Sequence, residues 1–113
     1  MNYRLIPTDF FEKETKRLSK KFHSLKSDLV KFSEQLLVNP RSGSPLGGGA
    51  FKHRIAVRSK GRGKSGGMRV ITYLTLDVFV DELTNIYLLA IYDKSETQTL
   101  SRDELRRLIG ELK

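Results

Sequence analysis

The sequence predicts an α+β domain, a small and mainly antiparallel sheet with helical segments before and after it. Three observations carry that prediction. Residues 9–38 repeat apolar side chains at helical spacing, three later runs read as strands, and the last dozen residues form an amphipathic stripe behind a capping box. With 113 residues and no cysteine, one core can form without disulfides or a structural metal, so residues 1–113 are expected to make a single domain.

Asn2 to Ile6 is a short apolar-bearing run closed by Pro7, which reads as a first strand. Asp9 followed by Glu12 resembles a capping box, so a helix should start there. Phe11, Leu18, Phe22, Leu25, Leu29, Phe32 and Leu36 recur at helical period, with lysine-rich faces opposite, and make the region Asp9 to Val38 helical. Ser24 is placed to cap a second helix, yet the stripe keeps phase through it. Both one long helix and a hairpin fit; two helices are preferred because a small domain buries the stripe more readily when it folds back.

Asn39-Pro40 ends the helical part, and RSGSPLGGGA reads as a glycine-rich connector without periodicity. Phe51 to Ser59 then alternates. Phe51, His53, Ile55 and Val57 fall on a core face, and Lys52, Arg54, Ala56 and Arg58 on a cationic one. After the loop Lys60 to Gly67, a strand from Met68 to about Asp77 sets Met68, Val70, Thr72, Leu74 and Leu76 opposite Arg69, Ile71, Tyr73 and Thr75. The run NIYLLAIY, Asn85 to Tyr92, is too apolar for an edge and should be a central strand. Ser101 and Glu104 form the capping box of a C-terminal helix, with Leu100 and Leu105 as its staple and Leu105, Leu108, Ile109 and Leu112 as its stripe. Short connections favour antiparallel pairing, and the helices are expected on one side of the sheet.

Charge narrows the function classes. The net charge of +8 is concentrated. Between Phe51 and Leu76 stand seven cations and no acid, whereas the rest of the chain holds 14 basic and 13 acidic residues. A one-sided field of this kind attracts polyanions. Without cysteine, and with only two histidines far apart, neither thiolate ligands nor a zinc site is expected. The N-terminal MNYRLIPTDFFEKETKR lacks the apolar stretch of a signal peptide, and no window suits a membrane span. A cytoplasmic protein with no membrane partner is expected.

Residues 58–69 read RSKGRGKSGGMR. Glycines let the backbone approach a phosphate, and the alternating Lys and Arg supply charge and donors. The tripeptide GKS suggests a nucleotide-binding P-loop, but that motif requires glycine where Arg58 stands and a helix where MRVITYL reads as a strand.

The run KHRIAVRSKGRGKSGGMRVITYL, then IYLLAIYDKSE and an amphipathic helix, resembles the HigB-like branch of the RelE/ParE toxin superfamily. The resemblance is closest over residues 51–109. It implies a compact α+β fold, no cofactor, restraint by a co-expressed antitoxin of helix-turn-helix type, and, for the nuclease members, metal-independent cleavage of mRNA on the ribosome. The arginine that leads the strand in these toxins corresponds to Arg69. The basic loop positions correspond to Lys60, Arg62 and Lys64, and the polar residues after the last strand to Tyr92 and Lys94. Relatives often carry Arg or His where Lys94 stands, so Lys94 suits phosphate binding rather than proton transfer.

RNA cleavage by 2′-hydroxyl attack needs a proton acceptor, stabilisation of the phosphorane-like charge, and a proton donor for the departing 5′-oxygen. Arginine stays protonated, which makes Arg54, Arg58 and Arg69 charge stabilisers. Lys60 or Lys64, crowded by like charges, is the base or acid candidate. Tyr73 and Tyr92 are placed to stack on a base or orient the hydroxyl, and Lys52, Arg54, Arg58 and Arg62 are expected to contact RNA. His53 and His23 read as structural or solvated. A ParE-like gyrase inhibitor and a non-catalytic RNA- or DNA-binding protein remain the alternative readings.

Overall fold

The computed structural model describes residues 2–61, 67–96 and 100–112. Its elements are β1 (Asn2–Pro7), α1 (Asp9–Ser19), α2 (Leu25–Val38), β2 (Ser44–Gly47), β3 (Ala50–Ile55), a 3-10 turn (Arg58–Lys60), β4 (Met68–Leu76), β5 (Leu83–Asp93) and α3 (Arg102–Gly110). The five strands form one sheet in the order β1-β5-β4-β3-β2. Only β1 and β5 run parallel; the other pairs are antiparallel, as the short connections predict. The expected α+β architecture is present, and NIYLLAIY lies within the sheet between β1 and β4.

The helical region is a hairpin of two helices. Its first cap is Thr8 rather than Asp9. The Thr8 hydroxyl accepts from the Phe11 amide at 3.2 Å and lies 3.0 Å from the Leu88 carbonyl, tying the helix start to β5. Asp9 and Glu12 sit in the first turn, where negative charge suits the helix dipole. Ser24 precedes α2 but does not cap it with its side chain, because its hydroxyl is committed to Asp28 at 2.6 Å. His23 lies exposed in the turn between the helices rather than on one of them.

The stripe of both helices packs on one sheet face. Phe11, Leu18, Leu25, Phe32 and Leu36 meet Ile55, Val57, Met68, Val70, Leu74, Ile86, Leu88 and Ile91 there. His53 belongs to this core, its ring edge-on to Phe32 at 5.2 Å and its Nε2 at 3.1 Å from the Thr72 hydroxyl. Gly43 explains how the connector passes here, since a Cβ on it would meet the Lys52 carbonyl oxygen at 2.6 Å and the His53 ring at 2.8 Å.

Three expectations are corrected. The helices do not share one side: α3 packs on the opposite face, where Leu108 joins Ile71, Leu89, Ala90 and Tyr92. Both faces of β4 and β5 are apolar, so each recruits a helix. The glycine-rich connector holds a short strand, β2, paired with β3 from Ser44 to Gly47. The strand expected to run to Ser59 stops at Ile55, and the chain turns through Arg58–Lys60 instead.

The β4–β5 pairing contains a bulge. Ile71 faces Ala90 and Thr72 faces Leu88, so Leu89 is an extra residue in β5. At the C-terminal end, the Ser101 hydroxyl accepts from the Glu104 amide and the Glu104 carboxylate from the Ser101 amide, completing the expected capping box of α3. Among the described residues, no helix is long and apolar enough to cross a membrane.

Candidate nucleic-acid interface

Strand register brings three of the candidate residues into one row. Arg54 on β3 pairs with Arg69 on β4, which pairs with Tyr92 on β5. In a sheet such cross-strand neighbours share a face with their Cβ atoms about 5 Å apart. The next row is Lys52, Ile71 and Ala90, and the one beyond is Ala50, Tyr73 and Tyr87, with the two tyrosine rings 6.4 Å apart. The face is cationic on its β3 side and aromatic beside it. The α3 helix covers the β4–β5 part, while Lys52 and Arg54 lie outside that cluster.

Depth separates these side chains. Arg54 is exposed and Lys52 partly so, and neither makes an ion pair among the described residues. Arg69 is only 4 % exposed and donates to the Met68 carbonyl at 3.4 Å. Tyr92 is 7 % exposed, and its hydroxyl has no hydrogen-bond partner among the described residues. A buried hydroxyl without a partner carries a desolvation cost of about 1–3 kcal/mol.

The other cations of the basic segment are arranged differently. With β3 ended at Ile55, Arg58 leaves the cationic face that strict alternation assigned to it and reaches α2. Its Nε donates to Asp28 at 3.0 Å, its amide to the other oxygen of that carboxylate at 3.1 Å, and its terminal nitrogen to the Ser27 hydroxyl at 2.8 Å. Ser59 follows it, donating its amide to the Ser24 hydroxyl at 2.9 Å. Burial alone would raise the Asp28 carboxyl, but its bonds from Ser24 and Arg58 outweigh that and hold it below the usual carboxylate value.

Lys60 turns inward. Its ammonium bonds the Asp93 carboxylate at 2.5 Å and lies 5.2 Å from the centre of the Phe22 ring. Asp93 is 1 % exposed. Desolvation would raise its carboxyl, yet donation from Lys60 and from the amide and hydroxyl of Ser95 brings it below the ordinary value. The charge nearest Lys60 is thus an acid, whereas the sequence reading took its neighbours to be cations. Asp93 also shapes the turn after β5, in which Lys94 is exposed two residues beyond Tyr92.

The structure therefore gathers Lys52, Arg54, Arg69, Tyr73 and Tyr92 on one face and sets Arg58 and Lys60 behind it. Arg62 and Lys64 lie outside the described residues. Sequence reasoning missed Asp28 and Asp93, which anchor the start of the basic loop through Arg58 and Lys60, and Tyr87 beside Tyr73. The signal for Asp93 was present, since a lone acid closes an otherwise apolar strand next to a lysine. Among the described residues no group of three or more His, Cys, Asp or Glu could hold a metal ion.

No family model matches the chain. Among solved structures, the chain is similar to the E. coli toxin RelE, seen as a double-arginine mutant in the free state. The TM-score is 0.61 over 100 % of both chains, at 16 % sequence identity. A likeness at that identity speaks to architecture, and the sheet with two N-terminal helices on one face and a C-terminal helix on the other is a RelE-like fold.

Proposed function

We propose that this chain is the toxin of a type II toxin–antitoxin pair, of the HigB-like branch, acting in the cytoplasm as a ribosome-dependent endoribonuclease. The observation that carries the reading is the row Arg54–Arg69–Tyr92 across three strands of a RelE-like sheet. The partners in this reading are mRNA on the ribosome and an antitoxin of helix-turn-helix type, and one toxin domain spans residues 1–113.

The chemistry follows from the row. Arg54 and Lys52 draw in the backbone of a single strand, and the phosphate settles against Arg69 at the floor. As the 2′-hydroxyl attacks, negative charge grows on the phosphate oxygens, and fixed guanidinium donors stabilise it most at that moment. The buried Tyr92 hydroxyl supplies the missing polar contact that aligns the attacking group, while Tyr73 stacks a flanking base. Lys94 binds phosphate at the edge. Lys60 is engaged with Asp93, so Lys64 is the lysine left to accept the 2′-hydroxyl proton as the 2′-oxygen bonds to phosphorus. The bond from phosphorus to the 5′-oxygen breaks, and water protonates the departing oxygen. No metal enters this scheme.

The test is cleavage of mRNA on purified ribosomes by wild type and Arg69→Ala. The expected loss is about 10²–10³-fold, typical of removing one donor to a developing charge, with the thermal transition recorded to show that the variant is folded. A second reading, binding without cutting, is favoured by the engagement of Lys60, one of the two lysines that could transfer a proton, with an acid. Wild type that binds RNA in a salt-sensitive way but leaves mRNA intact on ribosomes would favour that reading. DNA damage with intact mRNA would point to gyrase.

A further inference from the structure

A cationic channel opens where α2 passes the edge of the sheet beside the row. Strand β2 pairs with β3 only from Ala50 to Lys52, so beyond Lys52 the outer edge of β3 has no strand beside it among the described residues. A hollow of about 740 Å³ lies there. Gln35 and the α2 cap Asn39 line it on one side, and Ser42, Ser44, Lys52 and Arg54 on the other. A second hollow of about 220 Å³ adjoins it, running past Lys31 to Arg58. Gln35 and Arg54 line both.

The chemistry of these walls suits single-stranded RNA. Four cations line the two hollows, Lys31, Lys52, Arg54 and Arg58, against one acid, Asp28, whose carboxylate Arg58 already bonds. Lys31, Gln35 and Asn39 stand four residues apart and are all exposed, so they form one stripe along α2. The Gln35 carboxamide makes no hydrogen bond among the described residues. The Asn39 oxygen accepts the Arg41 amide at 3.3 Å, which leaves its amino group to donate outward. Carboxamides combine donors and acceptors, the groups that read the hydrogen-bonding edge of an unpaired base. Arg54 joins this channel to the row, because it also pairs with Arg69 across the strands. A strand of RNA whose phosphate rests at Arg69 meets the channel as it crosses Arg54.

We propose that the channel is a base-reading site for single-stranded RNA. Lys31, Lys52 and Arg54 hold phosphates there, and Gln35 with Asn39 selects a nucleobase flanking the phosphate at Arg69. The site rests on the reading of the row as an RNA surface and adds to it a source of sequence preference. Its larger hollow falls in the range of sites that enclose a whole small ligand, about 300–1,000 Å³, so a nucleotide has room.

Binding of twelve-nucleotide oligo(A), oligo(C) and oligo(U) to the full chain, read by fluorescence anisotropy, tests this. Wild type is expected to prefer one of the three. Gln35→Ala/Asn39→Ala should lose about fivefold or more on the preferred RNA and little on the others, the discrimination that one carboxamide–base pair provides. Gln35→Glu is a near-isosteric change at an exposed site and should fold as wild type; it should also lose or alter the preference, because a carboxylate only accepts. Lys31→Ala should weaken all three RNAs alike and lower the slope of log affinity against log salt by about 0.7. Arg69→Ala should weaken all three and keep the preference. A preference kept in Arg69→Ala and lost in Gln35→Ala/Asn39→Ala supports the channel whatever the ribosome assay shows for cleavage, so the two readings fail separately. Wild type without a preference, or channel variants that keep it, would overturn the proposal; the second outcome would leave the channel to an acidic segment of a partner protein.

Discussion

Two groups of cations, neighbours in the sequence, are used in opposite ways. Lys52 and Arg54 stand on the open sheet face with no acid paired to them among the described residues, while Arg58 and Lys60 each meet a carboxylate, Asp28 and Asp93. The first pair leaves its field available to a polyanion. The second commits its charge to the protein's own carboxylates, fastening the start of the basic loop to α2 and to the end of β5. A count of lysines and arginines therefore overstates the charge left on the open face, and the strand end at Ile55 is the point where one use gives way to the other.

The sharpest way to break this contrast is Asp93→Ala. It leaves the Lys60 ammonium enclosed without its counter-charge, and removal of one partner of a buried pair costs about 3–5 kcal/mol. Urea denaturation should show the loss, and Lys60→Met/Asp93→Leu should recover part of it. If Asp93→Ala unfolds at the wild-type midpoint, Lys60 is not a structural cation.

The open pair is expected to affect affinity instead. Lys52→Ala/Arg54→Ala should leave the unfolding midpoint nearly unchanged and weaken single-stranded RNA binding. The slope of log affinity against log salt should fall by about 1.4, the amount for two lost contacts with single-stranded phosphates. Lys60→Met should leave that slope alone. Equal slopes for the two variants would erase the distinction.

Acid provides a finer probe. Burial holds His53 below its ordinary value, so the unfolded chain takes up its proton first as pH drops. Stability should be unaffected above about pH 6.5 and decline as pH falls from there toward the folded-state value. Asp28 and Asp93, both lowered, contribute stability that is complete above the unfolded carboxylate value of about 3.9 and disappears only as pH falls through their folded values. Denaturation midpoints between pH 8 and pH 5 should thus slope in wild type and flatten in His53→Gln. A slope that persists in the variant would locate the titrating group elsewhere.

Much of this was legible in the sequence where local rules act alone. Alternation placed Phe51, His53, Ile55 and Val57 in the core and Arg69 with Tyr73 on the other face, and the Ser101–Glu104 box located α3. What was hidden depends on contacts distant in the chain. The side taken by α3 is not written in its own stripe; it follows from the second apolar face of β4 and β5, which the composition of NIYLLAIY hinted at. The turn of Arg58 toward α2 depends on Asp28, 30 residues earlier. Thr8 displaced Asp9 as the cap because its hydroxyl also has β5 within reach.

The extra residue Leu89 has a further meaning for β5. Up to Leu88 the even-numbered side chains face the paired helices; beyond the bulge that role passes to the odd-numbered Ile91. The inserted residue thus acts as a phase shifter. With it, Tyr92 points to the cationic row and Asp93 to Lys60. Pair the same residues in unbroken alternation, without the bulge, and the two would trade places, setting a carboxylate among the arginines and a phenol against the lysine. The identity of the side chains in this row is thus fixed as much by where the ladder breaks its alternation as by which residues they are.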